Sequence, residues 1–405
     1  MKSLSFLVEP SRQARRPAVL LALAVLGATM TAQQEGPKAK GDDSLELQAA
    51  RAKSMSTRGH AVTYAPTWDL SGLPHYVPKE EVTGTIRMWG SNYVGDGDLG
   101  RYWEAGFKRY HPTIRFEYHL KAPAAAVPAL YTGVADVGPS RKITFEELLA
   151  FQRIFNYDPT EISYATGAFD VPGWNPAFVI AISKDNPVQR LSMKQLDGIF
   201  GAERTGGWLG TSWHAEFARG PEENIRTWGQ LGATGEWADK SITPYGLNLR
   251  YHQATEIADL FLKGSDKWNE KIRFYANYVR PDGKLGRSLW ADLVKDPYGI
   301  AYVAGGTNGL PPQEKVIPIA VNDGGPYIMP SIETVHDRSY PLTDEVWMYM
   351  NKAPGKPLDP KVREYITYIL SQEGQTEVMR DGKYLPLTAE VARSMLQKIA
   401  DPPQK

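Results

Sequence analysis

The chain contains no cysteine. It can therefore form no disulfide, no thiolate metal site, no Cys nucleophile and no lipid-anchored N-terminus of the kind that needs Cys. It has no excess of either charge: 46 Lys and Arg balance 46 Asp and Glu. No global field draws such a chain to nucleic acid or to an anionic membrane. Beyond Met30 no apolar run is long enough to span a bilayer, which takes about 20 residues. No H-E-x-x-H, G-x-S-x-G or Walker loop occurs, and the 7 histidines are scattered, which argues against an enzyme and for the absence of a cofactor or resident metal.

What is present is ordinary in bulk. The 405 residues are 42% hydrophobic and 23% charged, values of a soluble globular chain of two or three domains. The 11 Trp and 21 Tyr suit a large core, with some available to line a cleft. The N-terminus is less ordinary. Arg12, Arg15 and Arg16 precede PAVLLALAVLGATM, which is followed by Thr31, Ala32 and polar Gln33 and Gln34. A basic flank, a short apolar core and small residues before a polar start describe a secretory signal peptide over residues 1–32. An uncleaved N-terminal anchor is the alternative. Residues 33–83 read as a polar leader followed by an extended, Pro- and aromatic-containing stretch.

From Gly84 the pattern alternates between strand and helix periodicities. GTIRMWG, TIRFEYHL and VADVG read as strands. DLGRYWEAGFKRY, AAAVPALYTG and TFEELLAFQRIF read as helices, the last with Thr144 and Glu147 spaced as a capping box. The middle of the chain supplies the strands PAFVIAISK, SITPYG, PYGIAYVAG and KVIPIAV. It also supplies the helices LSMKQLDGIFG, with Ser192 as cap and Gly201 as stop, and ATEIADLFLKG. The tail reads as a helix from Pro360 that breaks at Gly374 and resumes. This alternation predicts an α/β fold with sheets covered on both faces. GDGDLG is similar to a calcium loop but lacks its remaining ligand positions and terminal Glu, and reads as a turn before a helix.

Several segments, in order, resemble the substrate-binding proteins of phosphate-type ABC transporters. They are GTIRMWGSNYVG, GVADVGPSR, LSMKQLDGIFG with TWGQLG and SITPYG, YPLTDEVWMYMN, and ILSQEGQTEVMRDGKYLPL. The resemblance spans residues 84–387 and implies a two-lobe, periplasmic-binding-protein-like fold of type II with the ligand cleft between lobes. Lobe one is then expected over 84–174 plus 351–400 and lobe two over 175–350. It further implies an exported, periplasmic or secreted monomer, phosphate or a related small oxyanion as ligand, and an ABC permease as partner. An exported module with a different small anion, or with a protein-interaction role, is the alternative.

The resemblance also implies four ligand turns. The first holds Gly90, Ser91, Asn92 and Tyr93, as donors or as a plain cap for a helix over 98–110. The second runs through Lys121, Ala122 and Pro123, where the family's hydroxyls are absent and Lys121 is either a point charge or solvated. The third ends in Ser140 and Arg141. Arg141 stands either where relatives carry an acidic proton acceptor, offering a bidentate fork to an ionised anion, or where they carry a structural Arg. The fourth offers Arg250, Tyr251 and His252 in place of a Ser-Gly-Thr signature, as ligand groups or as a helix start. Asp344, where the return strand usually shows Arg, is a further departure.

Overall fold

The computed structural model describes residues 64, 67–171, 174, 177–249, 252–275, 288–304, 307 and 309–401. The expected signal peptide and most of the leader lie outside these residues, as do Arg250 and Tyr251.

The strands, in chain order, are β1 (Thr85–Gly90), β2 (Arg115–Leu120), β3 (Gly138–Ser140), β4 (Thr160–Thr166), β5 (Phe178–Ser183), β6 (Leu191–Ser192) and β7 (Gly207–Leu209). They continue with β8 (Ser212–His214), β9 (Thr243–Leu247), β10 (Arg273–Tyr275), β11 (Gly299–Ala304), β12 (Glu314–Val316), β13 (Ile319–Ala320) and β14 (Glu345–Met350). Two lobes repeat one plan. In lobe two the order is β10-β9-β11-β5-β12, with β5 antiparallel to both neighbours. In lobe one β1 pairs β2 in parallel, and a parallel bridge from Met88 to Val137 links it to the β3-β14-β4 group. There β14 is the antiparallel member. Each sheet thus takes in, antiparallel, the strand that has just crossed from the other lobe. β5, VIAI with no exposed residue, has the continuous apolar run of a strand buried on both faces.

The helices follow local rules. Thr144 accepts from the Glu147 amide while the Glu147 carboxylate accepts from the Thr144 amide, which starts the Phe145–Phe155 helix. Ser192 and Gln195 do the same for Met193–Phe200. In Ala126–Tyr131, Pro128 falls within the first turn, where its missing N–H would be unpaired in any case.

Four expectations need correction. The helix foreseen over 98–110 is a short helix, Tyr93–Asp96, then Leu99–Phe107, because the chain turns before Pro112. The strand foreseen in VADVG is displaced to Gly138–Ser140, with Val137 making only the bridge to Met88. KVIPIAV is two strands, β12 and β13, parted at Pro318. The tail helix breaks at Leu370 and Ser371, not at Gly374. Ser371 caps the second helix by accepting from the Gly374 amide at 3.3 Å. Gly374 is there for space, since a Cβ would lie 2.1 Å from the Tyr368 carbonyl.

The stretch read as extended is built into lobe one. Leu70, Leu73, Tyr76 and Val82 are buried in its core, and the Tyr76 hydroxyl meets His111 at 2.6 Å and Glu364 at 2.9 Å. Farther back, Tyr64 and Trp68 pack against the cores of both lobes. Trp68 stacks on His336 of lobe two at 3.8 Å.

The two crossings, 167–177 and 340–344, are bonded to each other. The Gly167 amide donates to the Asp344 carbonyl at 2.8 Å and the Phe178 amide to the Leu342 carbonyl at 3.0 Å. Asp344 therefore sits in the hinge, buried, with its carboxylate accepting from the Glu345 amide at 2.8 Å. Loss of water pushes this carboxyl from its ordinary 3.8 up to about 8, against the lowering by that amide. Between those values the folded chain holds a proton that the unfolded chain has released. Stability therefore falls as pH rises through that window.

Two predictions follow from the hinge and from β1. Asp344→Asn keeps the acceptor for Glu345 and removes the deprotonation cost. It should raise the urea midpoint near pH 8 and leave it nearly unchanged near pH 4; an equal effect at both would rule out the buried carboxyl. Gly90 has φ +144°, and a Cβ there would lie 2.1 Å from the Pro139 carbonyl. Gly90→Ala should cost about 2–4 kcal/mol in chemical unfolding, and a loss under 1 kcal/mol, about what removing glycine from relaxed backbone would change, would refute the close approach.

Candidate functional site

The ends of β1, β2 and β3 converge on one small patch of lobe one. Gly90 closes β1 where only glycine fits. The next amide, Ser91, donates to the Pro139 carbonyl at 2.7 Å, so it is already engaged. Ser91 is buried, and its hydroxyl accepts from the Tyr93 amide at 3.3 Å. Asn92 stands at the N-cap of Tyr93–Asp96 in helical conformation and makes no side-chain cap. Its amide nitrogen donates to Asp96 at 2.5 Å. Tyr93 lies against Trp174 at 5.2 Å. The first turn is therefore tied within lobe one through backbone and side chain alike.

The second and third turns lock together. After β2 the Ala122 amide donates to the Gly90 carbonyl at 3.0 Å, and Pro123 opens a single 3-10 turn, Pro123–Ala125. The Ser140 hydroxyl donates to the Pro123 carbonyl at 3.0 Å. Added Cβ atoms at Gly90 and at Gly138 would each lie 3.0 Å from the Ala126 methyl. The small Ala126 side chain thus lets the strand ends at Gly90 and Gly138 pack closely, while Ala122 and Ala124 of the same turn are exposed. Lys121 is exposed.

Arg141 is engaged within lobe one. Its guanidinium makes a two-pronged bond to Glu147, at 2.7 and 3.0 Å, and also donates to the Lys142 carbonyl at 3.0 Å. Because Glu147 is also the capping-box residue, Arg141 clamps the N-terminus of the Phe145–Phe155 helix. Arg141 is buried. Burial lowers its affinity for its proton, but the bond and field of Glu147, with smaller help from Glu256 and Tyr349, raise it overall. Next to it, Lys142 is bonded to Glu161 at 2.7 Å and lies over the Trp347 ring at 4.6 Å.

The facing wall is the His252–Phe261 helix of lobe two. His252, Glu256 and Asp259 lie on one face, spaced four and then three apart. Burial, and then the field of Arg141, push the His252 imidazole down to about 4, so it is neutral at pH 7. Glu256 is buried, and among the described residues neither oxygen accepts a hydrogen bond of normal geometry, although the Lys142 amide acts to lower its carboxyl. Burial, and then Asp344, raise its carboxyl well above the usual range. Arg141, His252, Glu256 and Asp344 therefore form one electrostatic group that joins lobe one, lobe two and the hinge.

Of the nine residues singled out in the sequence, six come together as the strand-end patch of lobe one. They are Gly90, Ser91, Asn92, Tyr93, Ser140 and Arg141. His252 faces Arg141 across the cleft, and Arg250 and Tyr251 lie outside the described residues. Glu147, Glu256 and Asp259 were missed. The helical spacing from His252 was the signal that could have found the last two. Chemically, the group offers a guanidinium held by one carboxylate, two serine hydroxyls, a neutral imidazole and two carboxyls that favour their protonated form.

The chain can now be set beside known proteins. It is 29% identical over 328 residues to the phosphate-binding protein PstS of Pseudomonas aeruginosa, covering 81% of this chain and 90% of that one. Among solved structures it resembles a possible phosphate-binding protein from Planctomyces limnophilus, with 18% identity, TM-score 0.44, and 79% of this chain and 98% of that chain covered. It also resembles PstS from Borrelia burgdorferi, with 17% identity, TM-score 0.47, and coverage of 76% and 100%. A family model, the PBP superfamily domain, matches residues 79–373. The chain belongs to the PBP superfamily, and its two-lobe α/β architecture is the fold of that family.

Proposed function

We propose that this chain is the exported substrate-binding component of an ABC-type importer and takes phosphate or a related small oxyanion between its lobes. On this reading it is no enzyme, acts as a periplasmic or secreted monomer, and delivers its ligand to a membrane permease. The observation that carries the proposal is the joining of its family membership to one feature of the fold. The strand-end patch holding Ser91, Ser140 and Arg141 faces the start of the His252–Phe261 helix across two mutually bonded crossings. A ligand held there touches both walls and so favours the closed arrangement over the open one. Among the described residues no helix is long and apolar enough to cross a membrane.

For an oxyanion to bind here, it must compete with Glu147 for the Arg141 fork and with Pro123 for the Ser140 hydroxyl. That competition also supports the second reading, an exported binding-protein-like module whose ligand is a carboxylate or other small anion, or a protein partner.

A thermal-shift screen with phosphate, sulfate, molybdate and simple carboxylates separates the two. Phosphate at about 1,000 times a micromolar Kd should stabilise the protein by about 4 kcal/mol, and no shift would sink phosphate as ligand. Glu147→Gln preserves a capping-box side chain and weakens the hold on the fork. It should tighten phosphate binding by about 10-fold, a change of about 1.4 kcal/mol, whereas Arg141→Ala should remove binding. Equal phosphate affinity in both variants and the parent would exclude Arg141 from the ligand site.

A further inference from the structure

To one side of the strand-end patch the lobes enclose a cavity of about 560 Å³, within the size range of small-molecule sites. One wall is the start and flank of the Phe145–Phe155 helix, with Lys142, Glu161 and Tyr349. The other is the His252–Phe261 helix with the segment that follows it and the β7–β8 hairpin.

The hairpin reaches from lobe two onto lobe one. Its Trp208 ring lies 4.9 Å from the Phe145 ring, and the Thr211 hydroxyl donates to the Gln152 side chain at 2.8 Å. Its root is fixed to lobe two, where the Trp208 amide donates to the Lys263 carbonyl at 2.8 Å. An occupant of this cavity therefore sits between walls that belong to different lobes.

The lining chemistry opposes an anion. Glu146, Asp158, Glu161, Asp259 and Asp266 line the cavity against a single cation, Lys142. Lys142 is already closed by both oxygens of Glu161, at 2.7 and 2.9 Å. Asp158 accepts from Gln152 and Asp266 pairs with Lys267 at 3.6 Å. Asp259 has neither an ion pair nor a hydrogen bond to its carboxylate among the described residues. Its side chain is exposed to the water of the cavity, yet the flanking walls remove enough solvation to push its carboxyl up to about 6, against the lowering field of Lys142. Trp208 and Trp268 line the same cavity. Five carboxylates against one lysine, itself bonded to Glu161, beside two indoles make an environment that suits a cation with an organic body.

We propose that this interlobe cavity is a second ligand site, separate from the oxyanion turns. It takes a small organic cation, with Asp259 as the counter-charge, Trp208 and Trp268 as walls, and the β7–β8 hairpin as its cover. The site stands on lining residues that the oxyanion reading does not use, so each can fail alone.

The test is titration of the full chain by calorimetry with tetramethylammonium, putrescine and arginine, with phosphate run in parallel. At least one cation should bind. Asp259→Asn, isosteric and at a solvated position, should weaken that cation by at least about 10-fold. Trp208→Ala should weaken it by about 5-fold, and neither change should move phosphate affinity. Absence of binding by all three probes at millimolar concentration would overturn the proposal. So would parent-like cation affinity in Asp259→Asn, or displacement of the cation by phosphate.

Discussion

The backbone bonds between the two crossings are the constraint on which the rest of the molecule depends. Gly167 to Asp344 and Phe178 to Leu342 hold two distant parts of the chain side by side at the point where both change lobes. Once they are paired, β5 must run into lobe two against β11, and β14 must return into lobe one against β4. Both arriving strands lie inside their sheets, with neighbours on each side. Neither sheet is complete until the other lobe's strand has passed through the hinge. This couples two cores that would otherwise be separate. Leu385, from the tail, adds to the coupling: it pairs with Thr166 at the end of β4 yet packs in the core of lobe two.

The segment before β1 adds a third connection. Tyr64 engages both the amide and the carbonyl of Phe169 in the first crossing, and its own amide donates to the Gly382 carbonyl at 2.7 Å. Trp68 then stacks on His336 of lobe two while its amide lies 3.2 Å from the Met379 sulfur of lobe one. Rotation of the lobes about the crossings must strain or slide this stack. The segment acts as a brace across the hinge as well as part of a core, which composition alone, polar with scattered prolines, does not convey.

What was legible in the sequence was local. Thr144 with Glu147 and Ser192 with Gln195 mark helix starts, because a cap is a bond between residues three apart. What was not legible depends on partners far along the chain. Gly374 is read as a breaker from its type alone. Its real reason, the Tyr368 carbonyl 2.1 Å from where a Cβ would be, appears only when the two tail helices fold on each other. Arg141 shows the same limit: its bond to Glu147 depends on where the Phe145–Phe155 helix begins. Glu256 is invisible as a site residue until the cleft closes around it.

Burial of acids at the lobe junction bears on how the cleft tells ligands apart. Asp344 and Glu256 are both stripped of water and repel each other when charged, so Asp344 holds its proton near neutral pH and Glu256 is pushed in the same direction. In that state they add little negative field at the strand-end patch, and the neutral His252 adds no positive one. On the proposed reading Arg141 is then the charge that an incoming anion meets, and Glu147 is already bonded to it. On that reading selectivity at this patch is set by an exchange of partners at Arg141 rather than by bulk positive potential. On the far side of Lys142 the carboxylates lining the cavity outnumber the one lysine, and there the balance of charge has the opposite sign. One cleft thus presents two electrostatic surfaces, separated by the Lys142–Glu161 pair, and a ligand's charge determines which of them it can use.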